Sequence, residues 1–162
     1  MNRRARGGGA SILTLGLALA CACACACGGR APVAPPVPLE PGVEAQLRRR
    51  VEGFYLRLAH RRFNTVETYN DRIMREHFRD MNLFLDYYAD LAQALADSHF
   101  EKRRPLAVEV REIEFEGPEV AQVEVRFVGA DRRPLRPGKV ELVRIDRWVR
   151  QDRIWWIEPG KV

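Results

Sequence analysis

Val43, Leu47, Val51, Phe54 and Leu58 recur at spacings of four, four, three and four, opposite Arg48, Arg49, Glu52 and Arg57. Apolar residues so spaced share one side of a 3.6-residue helix, so the pattern predicts an amphipathic helix entered at Val43. Asn64-Thr65-Val66-Glu67 has the form of a capping-box start, and Val66, Tyr69, Ile73, His77 and Met81 follow at near-helical spacing. A second helix is expected to about Arg79. A third, from near Asn82, turns Phe84, Tyr88, Leu91 and Leu95 inward and leaves Asp86, Asp90, Gln93 and Asp97 on an acidic outer stripe. After Pro105 the period falls to two. Leu106, Val108 and Val110 share one face, and Ile113 and Phe115 share one displaced by a residue, which a bulge near Arg111-Glu112 would reconcile. Gly117-Pro118 marks a turn, and Ala121, Val123, Val125 and Phe127 alternate with Gln122, Glu124 and Arg126 as in a half-buried strand. The segment Gly129 to Gly138, with Pro134 and Pro137, reads as a long hairpin loop. A third strand runs from Lys139 to about Arg150, and a turn at Gln151-Asp152-Arg153 leads into a short strand, Ile154 to Ile157.

The expected architecture is α+β: three N-terminal helices packed on a curved antiparallel sheet of about four strands, all within residues 43–162. A domain of this length buries about two-thirds of its unfolded surface, enough for one core without staples. Residues 28–42 hold five of the chain's ten prolines and show no periodicity. Proline biases such a stretch to polyproline II, so it reads as a semi-rigid spacer.

The first twenty residues read as a secretory signal, with a basic stretch at Arg3, Arg4 and Arg6 and an apolar core from Ala10 to Ala20. Leu17-Ala18-Leu19-Ala20-Cys21 resembles the lipobox cut by the bacterial lipoprotein signal peptidase, although Ala18 stands where that box prefers leucine. The resemblance makes Cys21 the lipidated anchor, and Ala22, where a sorting aspartate could stand, implies the outer membrane, facing the periplasm. Several acyl chains hold a protein on a membrane far better than one. Two alternatives stay open: cleavage after Ala20 by the ordinary signal peptidase, and a retained anchor helix across the uncharged run Ala10 to Cys27. The resulting organisation is a signal over 1–20, a Cys-Ala and Pro-rich tether over 21–42 and one domain over 43–162.

Composition adds little chemistry. All four cysteines, Cys21, Cys23, Cys25 and Cys27, lie in one alternating Cys-Ala run, so the domain has neither disulfide nor thiol ligand. Their spacing matches no closed zinc site. Net charge falls from +5 to +2 once Arg3, Arg4 and Arg6 are removed, which gives little reason to expect nucleic acid as a partner. The clusters Arg48–Arg50, Arg61-Arg62 and Arg103-Arg104 read as solvated faces or as contacts for anionic head groups or glycans.

The order of elements resembles the nuclear-transport-factor-like superfamily, the cystatin-like cone that includes SnoaL-like proteins. The tail Asp146-Arg147-Trp148-Val149-Arg150-Gln151-Asp152-Arg153-Ile154-Trp155-Trp156-Ile157 is similar to the closing hairpin of that group. The resemblance implies a pocket between helices and sheet, a class of site that takes small apolar ligands. It also implies a homodimer through the outer face of the sheet. Within the third strand, Leu142, Arg144, Asp146 and Trp148 share one face and Val143, Ile145, Arg147 and Val149 the other. If the first set faces inward, Arg144 and Asp146 form a buried pair beside Trp148; if the second does, they are a solvated pair.

His77, on the expected inner stripe near Tyr69, is the best candidate for a base, or an ordinary boundary histidine. Ser98 has no nucleophile elbow, no Gly-rich loop joins a strand to a helix, and no ligand spacing predicts a metal or cofactor. Two functional classes follow. One is a non-catalytic binding or interaction module for a small apolar ligand or an envelope protein. The other is a small pocket enzyme, an isomerase, dehydratase or hydrolase, using His77, Asp146 and Tyr69, with Arg144 and Trp148 lining the pocket. Adjacent Trp155 and Trp156 must point to opposite sheet faces, one into the core and one needing cover.

Overall fold

The computed structural model describes residues 39–160. The expected signal, Cys21 and nearly all of the tether lie outside the described residues. The order is α1 (Val43–Leu58), α2 (Val66–Tyr69), α3 (Arg72–Arg75), α4 (Met81–Asp97), a 3₁₀ turn (Glu101–Arg103), then β1 (Ala107–Gly117), β2 (Val120–Ala130), β3 (Lys139–Gln151) and β4 (Ile154–Glu158). The strands form one antiparallel meander in sequence order. The α+β class and the four strands agree with the sequence pattern.

Helix α1 buries Val43, Leu47, Val51, Phe54 and Leu58, the stripe read from the sequence, and adds Tyr55. Gly42 supplies no side-chain cap. Burial of that stripe, at roughly 1.5–3 kcal/mol per large apolar side chain, holds the helix without one. Helix α4 starts on Asp80, whose Oδ1 accepts from the Leu83 amide at 3.0 Å, and buries Phe84, Tyr88, Leu91 and Leu95 as expected, with Tyr87 beside them.

The single helix expected between Val66 and Arg79 is corrected to two one-turn helices. Val66 is 74% exposed and Tyr69, Ile73 and Met81 are also exposed, while Thr68, Asp71, Met74 and Phe78 are buried. Asp71 is the cause. Its Oδ1 accepts from the amides of Ile73 and Met74, restarting a helix, and its Oδ2 takes Arg57 at 2.9 Å and Arg61 at 3.0 Å. Four donors on one buried carboxylate outweigh the apolar spacing of the segment and turn Met74 and Phe78 to the core.

The β1–β2 register shifts between Val110 and Glu112, where the bulge was expected, so Val108, Val110, Ile113 and Phe115 all pack against the core. Phe115 on one edge strand meets Trp155 on the other, with ring centroids 6.1 Å apart. Edges three strand spacings apart are about 14 Å distant in a flat sheet, so the sheet curls around its inner face. The β4 edge is closed by the helical layer. The Ile157 amide donates to the His77 carbonyl at 3.0 Å, Gln46 donates to the Arg153 carbonyl, and Arg50 bonds the carbonyls of Trp155 and Glu76. Arg50 also lies over the Trp156 ring at 5.2 Å, the cover that this outward tryptophan needed.

Burial works against ionisation of Asp71, but hydrogen bonds from Arg57 and the Met74 amide hold its carboxyl below the usual carboxylate range. The stabilisation is therefore complete above about pH 4 and is lost as the pH falls through the lowered folded value. Asp71→Asn should flatten the acid limb of a stability-against-pH curve, measured by urea unfolding, and Asp71→Ala should cost about 1–2 kcal/mol at neutral pH through the lost cap.

Candidate functional site

Strand β3 turns Val140, Leu142, Arg144, Asp146 and Trp148 toward the helices and leaves Val143 and Ile145 exposed. Of the two faces weighed from the sequence, the one carrying the acid–base pair is the inner one. Asp146 is 3% exposed. Its Oδ2 accepts from the Tyr55 hydroxyl at 2.6 Å and the Tyr87 hydroxyl at 2.8 Å, and its Oδ1 from Arg144 Nε at 2.7 Å. Trp148 Nε1 donates to the Tyr55 oxygen at 3.4 Å. Arg144 continues outward, with Nη1 3.0 Å from Asp90 on α4 and its guanidinium over the Tyr87 ring at 4.9 Å.

The electrostatics follow from burial and the shared carboxylate. Desolvation, then the charge of Asp146, pushes both Tyr55 and Tyr87 well above the ordinary phenol value, so each stays a neutral donor. Burial opposes the Arg144 cation, but Tyr87 and Asp146 outweigh it and the guanidinium is held more firmly protonated than usual. His77 is pushed below the ordinary imidazole value by burial and by the Arg50 charge. The neutral ring donates from Nδ1 to the Ile73 carbonyl at 2.9 Å and packs against Phe54 and Trp148, centroids 5.0 and 6.4 Å away.

Comparison of the chain with protein-family models, curated proteins and solved structures found no match.

The candidates from the sequence divide accordingly. Arg144, Asp146 and Trp148 come together, and His77 reaches the same aromatic core through Trp148. Tyr69 does not: it is 40% exposed, stacked edge-on against Tyr88 and covered by Arg75. Its expected inward position fell with the helix that Asp71 interrupts. Asp146 has every near partner within the protein, and Phe54, Tyr55, Tyr87 and Trp148 around it are at most 1% exposed. A shallow depression of about 50 Å³ lies instead on the outer sheet face, among Glu112, Glu114, Gln122, Glu124 and Ile145. Among the described residues no group of three or more His, Cys, Asp or Glu side chains is gathered for a metal ion, and no helix is long and apolar enough to cross a membrane.

Tyr55 and Tyr87, the partners of Asp146, escaped the sequence reading. Each sits beside a stripe residue, Phe54 or Tyr88, and a tyrosine there reads as one more apolar position. The signal was their polar tips, since a buried phenol needs a hydrogen-bond partner. On the outer face, Val143 and Ile145 stand between charged pairs, Arg126 with Glu109 and Glu141 and Arg147 with Glu158.

Removing Asp146 strands a half-buried guanidinium and two buried hydroxyls. Asp146→Ala should cost about 3–5 kcal/mol in chemical denaturation, against about 1–2 kcal/mol for Tyr87→Phe. Tyr55→Phe and Tyr87→Phe should leave the native phenolate absorbance titration between about pH 9 and 11 unchanged, because neither phenol ionises there.

Proposed function

We propose that this chain is an envelope lipoprotein, lipidated on Cys21 and held off the outer membrane on the periplasmic side by its Pro-rich spacer. Its SnoaL-like, cone-like domain acts as a non-catalytic binding module. The observation that carries the second half is the closure of the Asp146 cluster. A general base must reach a substrate proton within about 3 Å, directly or through one water. Asp146 meets Tyr55, Tyr87 and Arg144 instead, and the rings of Phe54 and Trp148 stand against His77 where an enclosed substrate would lie. With the interior occupied by side chains, recognition falls to the outer surface and the loops. The first half rests on the sequence around Cys21 and on the proline content of residues 28–42.

Metabolic labelling with a palmitate analogue tests the anchor. The native chain should incorporate label and sediment with membranes, and Cys21→Ser should abolish labelling and release the protein to the soluble fraction. Label on the Cys21→Ser variant, or an unlabelled native chain, would overturn the assignment.

A further inference from the structure

The α1–α2 connection, the 3₁₀ turn after α4 and the start of the β2–β3 loop border an open cleft of about 280 Å³. Phe63 and Phe100 lie beneath it, each 1% exposed, so the surface it presents is mostly polar. Phe100 lies so close over β2 that a Cβ on Gly129 would stand 2.4 Å from its ring. The rim is cationic, with Arg62, Lys102, Arg103 and Arg132, and no lining residue is acidic.

Two of the acids near this rim are committed to other arginines. Asp131, next to Arg132, is turned to Arg133 at 2.6 Å, and Arg61, next to Arg62, serves Asp71. Among the described residues, Lys102 alone of the four cations has a carboxylate within salt-bridge distance, its neighbour Glu101 at 3.5 Å. Like charges held together repel one another, so folding gains nothing from the cluster.

The backbone beneath it is also unfavourable. Lys102 and Arg103 have φ of 53° and 48°, the left-handed region that disfavours such side chains, while Asn64, a residue type that tolerates it, has 64°. Cross-links fix these conformations: the Phe63 amide donates to the Arg103 carbonyl at 3.1 Å, His60 to Pro105 at 2.9 Å and Arg132 to His99 at 2.9 Å. Strain held by its surroundings next to uncompensated charge is the arrangement of a preorganised site.

We infer that this cleft binds a phosphate-type oxyanion, with the arginine forks of Arg62, Arg103 and Arg132 chelating its oxygens and Lys102 adding charge at the rim. Planar guanidinium groups match tetrahedral oxyanions bidentately. The inference rests on the binding-module reading and names the ligand class.

Calorimetric titration of the full chain in neutral detergent, with inorganic phosphate and separately with glycerophosphoglycerol, tests it. Phosphate should bind, more weakly as salt is raised. Arg62→Gln/Arg132→Gln, both exposed positions, should lose at least about tenfold in affinity with an unchanged melting temperature. Arg49→Gln, outside the cleft, should bind as the native chain does. Cleft-dependent binding of glycerophosphoglycerol alone would support the site and assign the phosphate to a lipid head group. No heat from either probe at millimolar concentration, or equal affinity in the cleft variant and the native chain, would overturn the inference. Acyl labelling of Cys21 is unaffected by any of these outcomes, so failure here and failure of the anchored-lipoprotein reading are separable.

Discussion

A single carboxylate in the core sets the relation between the helices and the sheet. An ionised Asp146 buried without partners would be unfavourable by several kcal/mol, so the fold forms only in a geometry that delivers its donors. These come from α1 through Tyr55, from α4 through Tyr87 and from its own strand through Arg144, which then ties the cluster to Asp90 on the surface of α4. Apolar packing between α1, α4 and the sheet would tolerate some sliding. The hydroxyl contacts, 2.6 and 2.8 Å long, tolerate much less, so the carboxylate fixes the alignment that the hydrophobic effect leaves loose.

The same cluster fills the space between the helices and the sheet. A curled sheet with helices on its inner face could enclose a pocket, and here aromatic side chains fill the space. Phe54 alone packs its ring against Tyr55, His77, Phe78, Tyr87 and Trp148. His77 is absorbed into the scaffold as well, since its ring donates to Ile73 and its carbonyl receives the β4 edge at Ile157. Under the binding-module proposal, recognition would fall to the periphery.

Arginine shows the contrast between scaffold and periphery. Arg50 closes the β4 edge and covers Trp156, Arg57 and Arg61 hold Asp71, and Arg144 completes the core cluster. Each has a carbonyl or carboxylate to serve. Among the described residues, Arg62, Arg103 and Arg132 around Phe63 and Phe100 do not share that pattern, although they come from three separate connections of a domain otherwise laced with ion pairs.

The sequence by itself determined the elements whose period is unambiguous. The 4,4,3,4 spacing of α1, the alternation of β2 and the one-residue offset at Val110 and Ile113 each admit one burial pattern, and each is found. The tertiary structure decided the rest, because the deciding partners are remote. Both faces of β3 carry aliphatic residues, so alternation cannot say which is inward; Tyr55 and Tyr87 decide it from 91 and 59 residues away. The interruption of the second helix is of the same kind. Asp71 reads locally as a polar residue on a helix surface, and only Arg57 and Arg61, brought alongside by α1, make its burial favourable. Local periodicity reports where apolar area can be buried, but a buried charge answers to groups that only the folded chain brings within 3 Å.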